Sequence, residues 1–150
     1  MSKNFKGYTL IELLVGISIV AVIFGIGLIS YREFSRRQAL TGVLKQVKAD
    51  LRLAQQLALT GQKPEVCTKL IGYTFTATSS NYKIIASCSG GTVETKTVDI
   101  SADTTISAGS VTFKILGQGT SLSSPLTYTV TNTQAGTSGT VTIGVGGDIK

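Results

Sequence analysis

The chain has 150 residues, a formal net charge of +6, two cysteines, and neither histidine nor tryptophan. That length fits one folded domain plus a terminal segment and leaves little room for a second domain. Without histidine, a metal centre or a general base working near neutral pH would have to be built from carboxylates, lysine or cysteine alone, which counts against an enzyme. The charge is unevenly placed. Residues 1–69 hold ten Lys or Arg against four acids, whereas from residue 70 onward Lys83, Lys96, Lys114 and Lys150 balance Glu94, Asp99, Asp103 and Asp148. The second half is rich in Ser, Thr and Gly, but these alternate with Val, Ile, Tyr and Phe, so it reads as β-rich and folded and not as a disordered tail.

In chain order, the first informative segment is LLVGISIVAVIFGIGLI, residues 13–29, which carries no charge. With residues 8–11 before it and Ser30 and Tyr31 after it, the run approaches the roughly 20 helical residues needed to cross a hydrocarbon core. Glu12 sits near its start, where an unpaired carboxylate held deep in lipid would cost about 3 kcal/mol. The run is too long for a secretory signal peptide and leads into a helical pattern, so an ordinary signal-peptidase cut after it is not expected. Lys3 and Lys6 precede the run and Arg32, Arg36 and Arg37 follow it, which leaves orientation undecided by charge alone.

The string Lys6-Gly7-Tyr8-Thr9-Leu10-Ile11-Glu12-Leu13-Leu14-Val15 resembles the class III signal of type IV prepilins and type II secretion pseudopilins. The resemblance implies cleavage by a prepilin peptidase between Gly7 and Tyr8 on the cytoplasmic side, N-methylation of Tyr8, and retention of the apolar helix in the mature protein. Most members have Phe where this chain has Tyr8; the aromatic character is kept. Loss of Lys3 and Lys6 with the leader would remove two of the six net positive charges. In such a subunit the new terminal ammonium lies four residues before Glu12, and in a bundle of helices the carboxylate of one subunit neutralises the terminus of a neighbour and sets axial register. The plainer alternative is a single-pass anchor with Glu12 at the headgroup boundary.

Beyond the apolar run, Leu40, Leu44, Val47, Leu51, Ala54 and Ala58 recur at spacings of four and three, as one face of an α-helix requires. Gly61 followed by Pro64 predicts the helix end near Thr60. Lys45, Lys48 and Arg52 fall away from the apolar face and read as a solvated stripe more readily than as a phosphate or partner contact. From residue 71 onward, β-prone runs at 71–76, 82–86, 95–100, 111–116, 126–131 and 140–145 are separated by Ser79-Ser80-Asn81, Gly90-Gly91, residues 117–119 and Ala135-Gly136. They predict an antiparallel sheet or small sandwich with Phe75, Tyr82, Ile84, Val98, Ile100, Phe113, Ile115, Tyr128, Val130, Val141 and Ile143 as core. Cys67 and Cys88 lie where the anchor would place them outside the cytoplasm, so a disulfide is the favoured reading over two buried thiols.

The expected architecture is therefore α+β and pilin-like: a leader at 1–7, a transmembrane or filament-core helix at 8–30, an amphipathic helix at 31–61 and a β-rich head at 62–150. The head is similar to GspH/FimT-type minor pseudopilins in Ala54-Gln55-Gln56-Leu57-Ala58, Phe113-Lys114-Ile115-Leu116-Gly117 and the Thr140-Val141-Thr142-Ile143 strand. This resemblance implies a minor subunit of a type IV pilus or type II secretion-like filament. Its implied partners are other pilin or pseudopilin subunits, prepilin peptidase and an inner-membrane assembly platform. The location is the bacterial inner membrane, single-pass, head outside the cytoplasm, before assembly into a periplasmic or extracellular filament. Some members of the group help to take up DNA, through arginines near the C-terminal end. Here Gly146-Gly147-Asp148-Ile149-Lys150 puts a carboxylate there, which disfavours nucleic acid. No catalytic residue, metal ligand set or cofactor motif is present in the sequence.

Overall fold

The computed structural model describes the backbone of residues 7–150 and the side chains of that span apart from residues 26–30. The expected leader, except for Gly7, lies outside the described residues, as do the side chains of the last part of the expected 8–30 span. The chain divides into two compact units, one ending at Ser35 and the other running from Arg36 to Lys150. Helix α1 (Leu10–Thr60) supplies residues to both.

In the second unit α1 buries Leu40, Val47, Leu51, Ala54 and Ala58 and half-buries Val43, Leu44 and Leu57. These positions follow the 3.6-residue repeat, so a single stripe of the helix turns inward. Leu44 is half-buried, its tip against β7 (Thr137–Ile143), where a Cβ on Gly139 would collide with Leu44 Cδ1. The helix ends in a Schellman motif: Gly61 N–H donates to Ala58 O and Gln62 N–H to Leu57 O, both at 3.2 Å. This closure requires a left-handed residue, and Gly61 supplies it at φ 62°.

Seven strands follow, all paired antiparallel. One sheet has the order β3-β2-β1-β5, built from β1 (Leu70–Ala77), β2 (Asn81–Cys88), β3 (Gly91–Asp99) and β5 (Gly109–Lys114). The other has the order β4-β6-β7, with β4 (Thr104–Ile106) and β6 (Leu126–Asn132). Period-two alternation sends Tyr73, Phe75, Tyr82, Ile84, Val111 and Phe113 inward from the first sheet and Ile106, Tyr128, Val130, Val141 and Ile143 inward from the second. Phe75 joins the two layers: its ring stacks on Tyr82 at 5.1 Å between centroids and meets Tyr128 edge-on at 5.4 Å. Aromatic pairs in these geometries add about 0.5–1.5 kcal/mol beyond the area they bury.

The α+β class holds, with one long helix packed on antiparallel sheets. Several finer expectations change. The β4 strand was not foreseen, being three residues long and enclosed by Ser, Ala and Asp. The β3 strand starts at Gly91, so the turn before it is the tight Ser89-Gly90 connection. The β5 strand stops at Lys114 and a 3₁₀ turn takes Ile115–Gly117, and β7 begins and ends earlier than the 140–145 run. Val98, Ile100 and Ile115 are only half-buried, Val98 because β3 is an edge strand with solvent on one side.

Candidate functional site

The first unit presents an apolar helix surface with nothing packed on it among the described residues. Leu10, Ile11, Leu13, Leu14, Val15, Ile17, Ile19, Val20, Val22, Ile23 and Phe24 are all more than half exposed. A contiguous apolar surface of this kind marks a lipid or protein contact. Among the described residues no helix is long and apolar enough to cross a membrane. The side chains described for the apolar run end at Gly25, before residues 26–30.

At the start of α1 the backbone and side chains form a capping box. Glu12 N–H donates to Thr9 Oγ1 at 3.3 Å, and Thr9 N–H donates to Glu12 Oε2 at 3.5 Å. Two of the four amide donors that a helix start leaves without intrahelical acceptors are thereby satisfied, and the carboxylate is held at the positive end of the helix dipole. Tyr8 precedes the cap and is 83% exposed. Glu12 and Gly16 share one groove with Tyr8, Leu13, Ile17 and Val20, since residues four apart stack along a helix face. Farther along, Ser18 Oγ donates to Leu14 O at 2.8 Å, so this hydroxyl needs no outside partner within the apolar surface. Gly7 and Tyr8 are therefore accessible next to an ordered helix start, with the Glu12 carboxylate turned back onto Thr9 N–H.

The second unit contains a polar cluster that the sequence reading did not pick out. Asp50 is 5% exposed and accepts two hydrogen bonds of 2.7 Å, from Tyr82 Oη to Oδ2 and from Lys96 Nζ to Oδ1. It links α1 to β2 and β3 across the core edge. Burial, with the hydrogen bond and charge of Asp50 added, pushes the Tyr82 phenol well above its usual value. The signal in sequence was a lone acid at 50, beside the Val47–Leu51–Ala54 stripe. Burial also raises Tyr128 and, less strongly, Tyr73. On the outer face Lys83 Nζ donates to Glu94 Oε2 at 2.7 Å and Thr97 Oγ1 donates to Glu94, which lowers the Glu94 carboxyl below its usual range.

Cys67 and Cys88 form a disulfide with Cα atoms 5.6 Å apart, tying the segment after α1 to the end of β2. Ser89 N–H donates to Lys69 O at 2.9 Å beside it. Of the expected site residues, Gly7, Tyr8 and Glu12 lie together at the helix start, and the cysteines lie in the other unit. Among the described residues no group of three or more acids or cysteines gathers as a metal site would require.

The first unit therefore offers an exposed apolar helix segment opened by a capped carboxylate, and the second is an α+β, pilin-like unit that holds a disulfide. Residues 2–28 match the family model for the prokaryotic N-terminal methylation motif. The chain thus carries the prepilin methylation motif of the type IV pilin and pseudopilin family, whose members interact with other pilin subunits and with prepilin peptidase. No curated protein and no solved structure matches the chain.

Proposed function

We propose that the chain is a minor pseudopilin-like structural subunit of a type IV pilus or type II secretion-like filament, cut after Gly7 and N-methylated on Tyr8. On this reading residues 1–7 are the leader, 8–30 the membrane and filament-core helix, 31–61 the amphipathic helix and 62–150 the head. The subunit waits in the inner membrane with its head outside the cytoplasm and is extracted by the assembly platform. It has no catalytic role. The observation that carries this reading is the conjunction of the methylation motif at 2–28 with Glu12 turned toward Thr9 on the same groove as Tyr8. A carboxylate so placed is costly in lipid unless it meets a positive charge, and cleavage creates one at Tyr8. Neutralisation between neighbouring subunits would then set the axial register. In a strain carrying the remaining filament genes, wild-type protein should appear in sheared filaments at a small fraction of the major subunit. Glu12→Ala should still be cleaved yet be at least tenfold depleted from filaments. Equal recovery of the variant would refute the register role, and recovery as the main subunit would refute the minor one.

DNA uptake is the second reading. Its support is that Lys45, Lys48 and Arg52 project from one helix face with no ion pair among the described residues. Against it stand the neutral second half and the Lys150–Asp148 pair at 3.3 Å, which occupies the terminal cation. Phosphate contacts make binding salt-dependent. A mobility shift with the full chain at low salt, retained DNA released by added salt and lost in a Lys45/Lys48/Arg52 triple Gln variant, would favour DNA uptake; no shift would leave the filament reading alone.

A further inference from the structure

Pairing off the charges from residue 61 onward leaves a polarised remainder. Lys83 with Glu94, Lys96 with Asp50 and Lys150 with Asp148 are ion pairs. Lys63, Lys69 and Lys114 have no such partner among the described residues, and neither do Glu65, Asp99 and Asp103. The topology separates these groups. In the sheet of order β3-β2-β1-β5 neighbouring strands run in opposite directions, so the starts of β1 and β3 and the ends of β2 and β5 lie at one end of the second unit. Tyr73 Oη donates to Gln62 O at 2.8 Å, which fixes the end of α1 there too. All three lysines and Glu65 belong to this end, whereas Asp99 closes β3 and Asp103 precedes β4 at the other.

The lysine end also displays aliphatic side chains. Leu59, Val66, Ile71 and Leu116 are all exposed there, Leu116 at 73%. Ile71 is the extra residue of a β-bulge, since the register passes from Leu70 opposite Cys88 to Gly72 opposite Ser87. Leu116, at φ 55°, is the one non-glycine residue with positive φ among the described residues. A left-handed leucine is strained, and it gains no burial in exchange. These side chains adjoin: β1 contacts the Ile115–Gly117 turn, and Leu59 Cδ2 lies 3.5 Å from the position a Cβ would take on Gly117. At the acidic end, the turns at 78–80, 100–108 and 133–136 expose no large apolar side chain among the described residues.

We propose that this end of the second unit docks on an anionic lipid bilayer, with Leu116, Ile71 and Leu59 entering the acyl boundary and Lys63, Lys69 and Lys114 meeting the headgroup phosphates. Interfacial binding of this kind adds buried apolar area to attraction by anionic lipid. Each lysine near such a surface strengthens binding about fivefold, and salt screens the effect. Glu65 alone opposes the three lysines as an unpaired acid at this end. The acidic end of a second copy would match the lysines, but it brings no apolar surface to cover the aliphatic side chains. A bilayer supplies both.

The test is co-sedimentation of the full-length chain, with the apolar surface of α1 held in nanodiscs of neutral phosphatidylcholine, with sucrose-loaded vesicles. The vesicles contain phosphatidylglycerol and phosphatidylcholine in equal parts, or phosphatidylcholine alone as the neutral control, and empty nanodiscs set the background. Loaded discs should sediment with the anionic vesicles only, and added salt should release them. A Lys63/Lys69/Lys114 triple Gln variant should bind at least about twentyfold more weakly. Leu116→Asn, which tolerates the left-handed backbone while removing the apolar tip, should bind at least about threefold more weakly. Both variants should keep the wild-type Tm. No sedimentation, equal sedimentation with the neutral vesicles, or unchanged binding in the triple variant, as transfer of the apolar helix into the vesicles would give, would overturn the proposal. Salt-sensitive pairing of loaded discs with each other, without vesicle binding and lost in an Asp99/Asp103 double Asn variant, would overturn it in favour of a second copy.

Discussion

Replacing Asp50 with alanine removes the acceptor shared by Tyr82 Oη and Lys96 Nζ. The two donors fare differently. Tyr82 is 1% exposed, so its hydroxyl loses the Asp50 acceptor inside the core and keeps only the Gln46 amide beside it, at a cost of about 2 kcal/mol. The Lys96 side chain is 39% exposed and turns to water, so its share is about 0.5 kcal/mol after screening. Alanine is the better helix former and returns about 0.6 kcal/mol. The net loss is about 2 kcal/mol, or a fall in Tm of about 8 °C for a unit of this size. Near-UV circular dichroism of the five tyrosines in the detergent-solubilised chain reports the transition. In a Tyr82→Phe background the same Asp50→Ala change should cost less than 1 kcal/mol, since that hydroxyl is gone. Additive losses within about 0.5 kcal/mol would refute the coupling and with it the claim that this cluster fixes the helix on the sheets.

Other outcomes follow from the same structure. Tyr82, Tyr128 and Tyr73 have raised phenol pKa values, so their contribution is complete below the unfolded value near 10 and is lost above it. The Tm should be flat from about pH 7 to 9 and fall beyond about pH 10; a flat profile through pH 11 would contradict the burial assignment. Glu94 has the opposite sign: its lowered carboxyl stabilises above the unfolded value and loses that as acid is added, so Glu94→Gln should flatten the profile below pH 5. The Cys67–Cys88 bridge closes a loop across a sequence separation of 21, so the double Ser variant should lose about 3 kcal/mol, and thiol reagents should label the unfolded wild type only after reduction. Gly61→Ala meets no steric neighbour within 4 Å yet must hold φ 62°, and should lose about 1 kcal/mol in urea melts with an unchanged slope.

Local periodicity made the long helix and most strands readable. The Leu40–Ala58 stripe and the alternation through Phe75, Tyr82, Tyr128 and Val141 state both the element and its buried face. Gly61 with Pro64 located the helix end because only one backbone geometry closes a helix that way. The strand at 104–106 escaped because three residues are too few to show a period. Asp50 escaped because its partners lie 32 and 46 residues away, and a buried acid is recognisable only when both are in place. Leu116 likewise looked like an ordinary strand residue; its left-handed backbone is imposed by the closure of the turn around it. The Gly7–Glu12 motif was legible because its chemistry is contiguous; the capping box within it went unread, although Thr9 and Glu12 stand three residues apart.

The central claim is that Glu12 serves a helix whose N terminus is created by cleavage after Gly7. Intact-mass and N-terminal fragment analysis of membrane-extracted protein, co-expressed with and without a prepilin peptidase, tests it most directly. The account predicts a chain starting at Tyr8, heavier by one methyl group on the terminal nitrogen, only when the peptidase is present, and no cleavage in Gly7→Val. A terminus at Met1 or Ser2 under both conditions would contradict it.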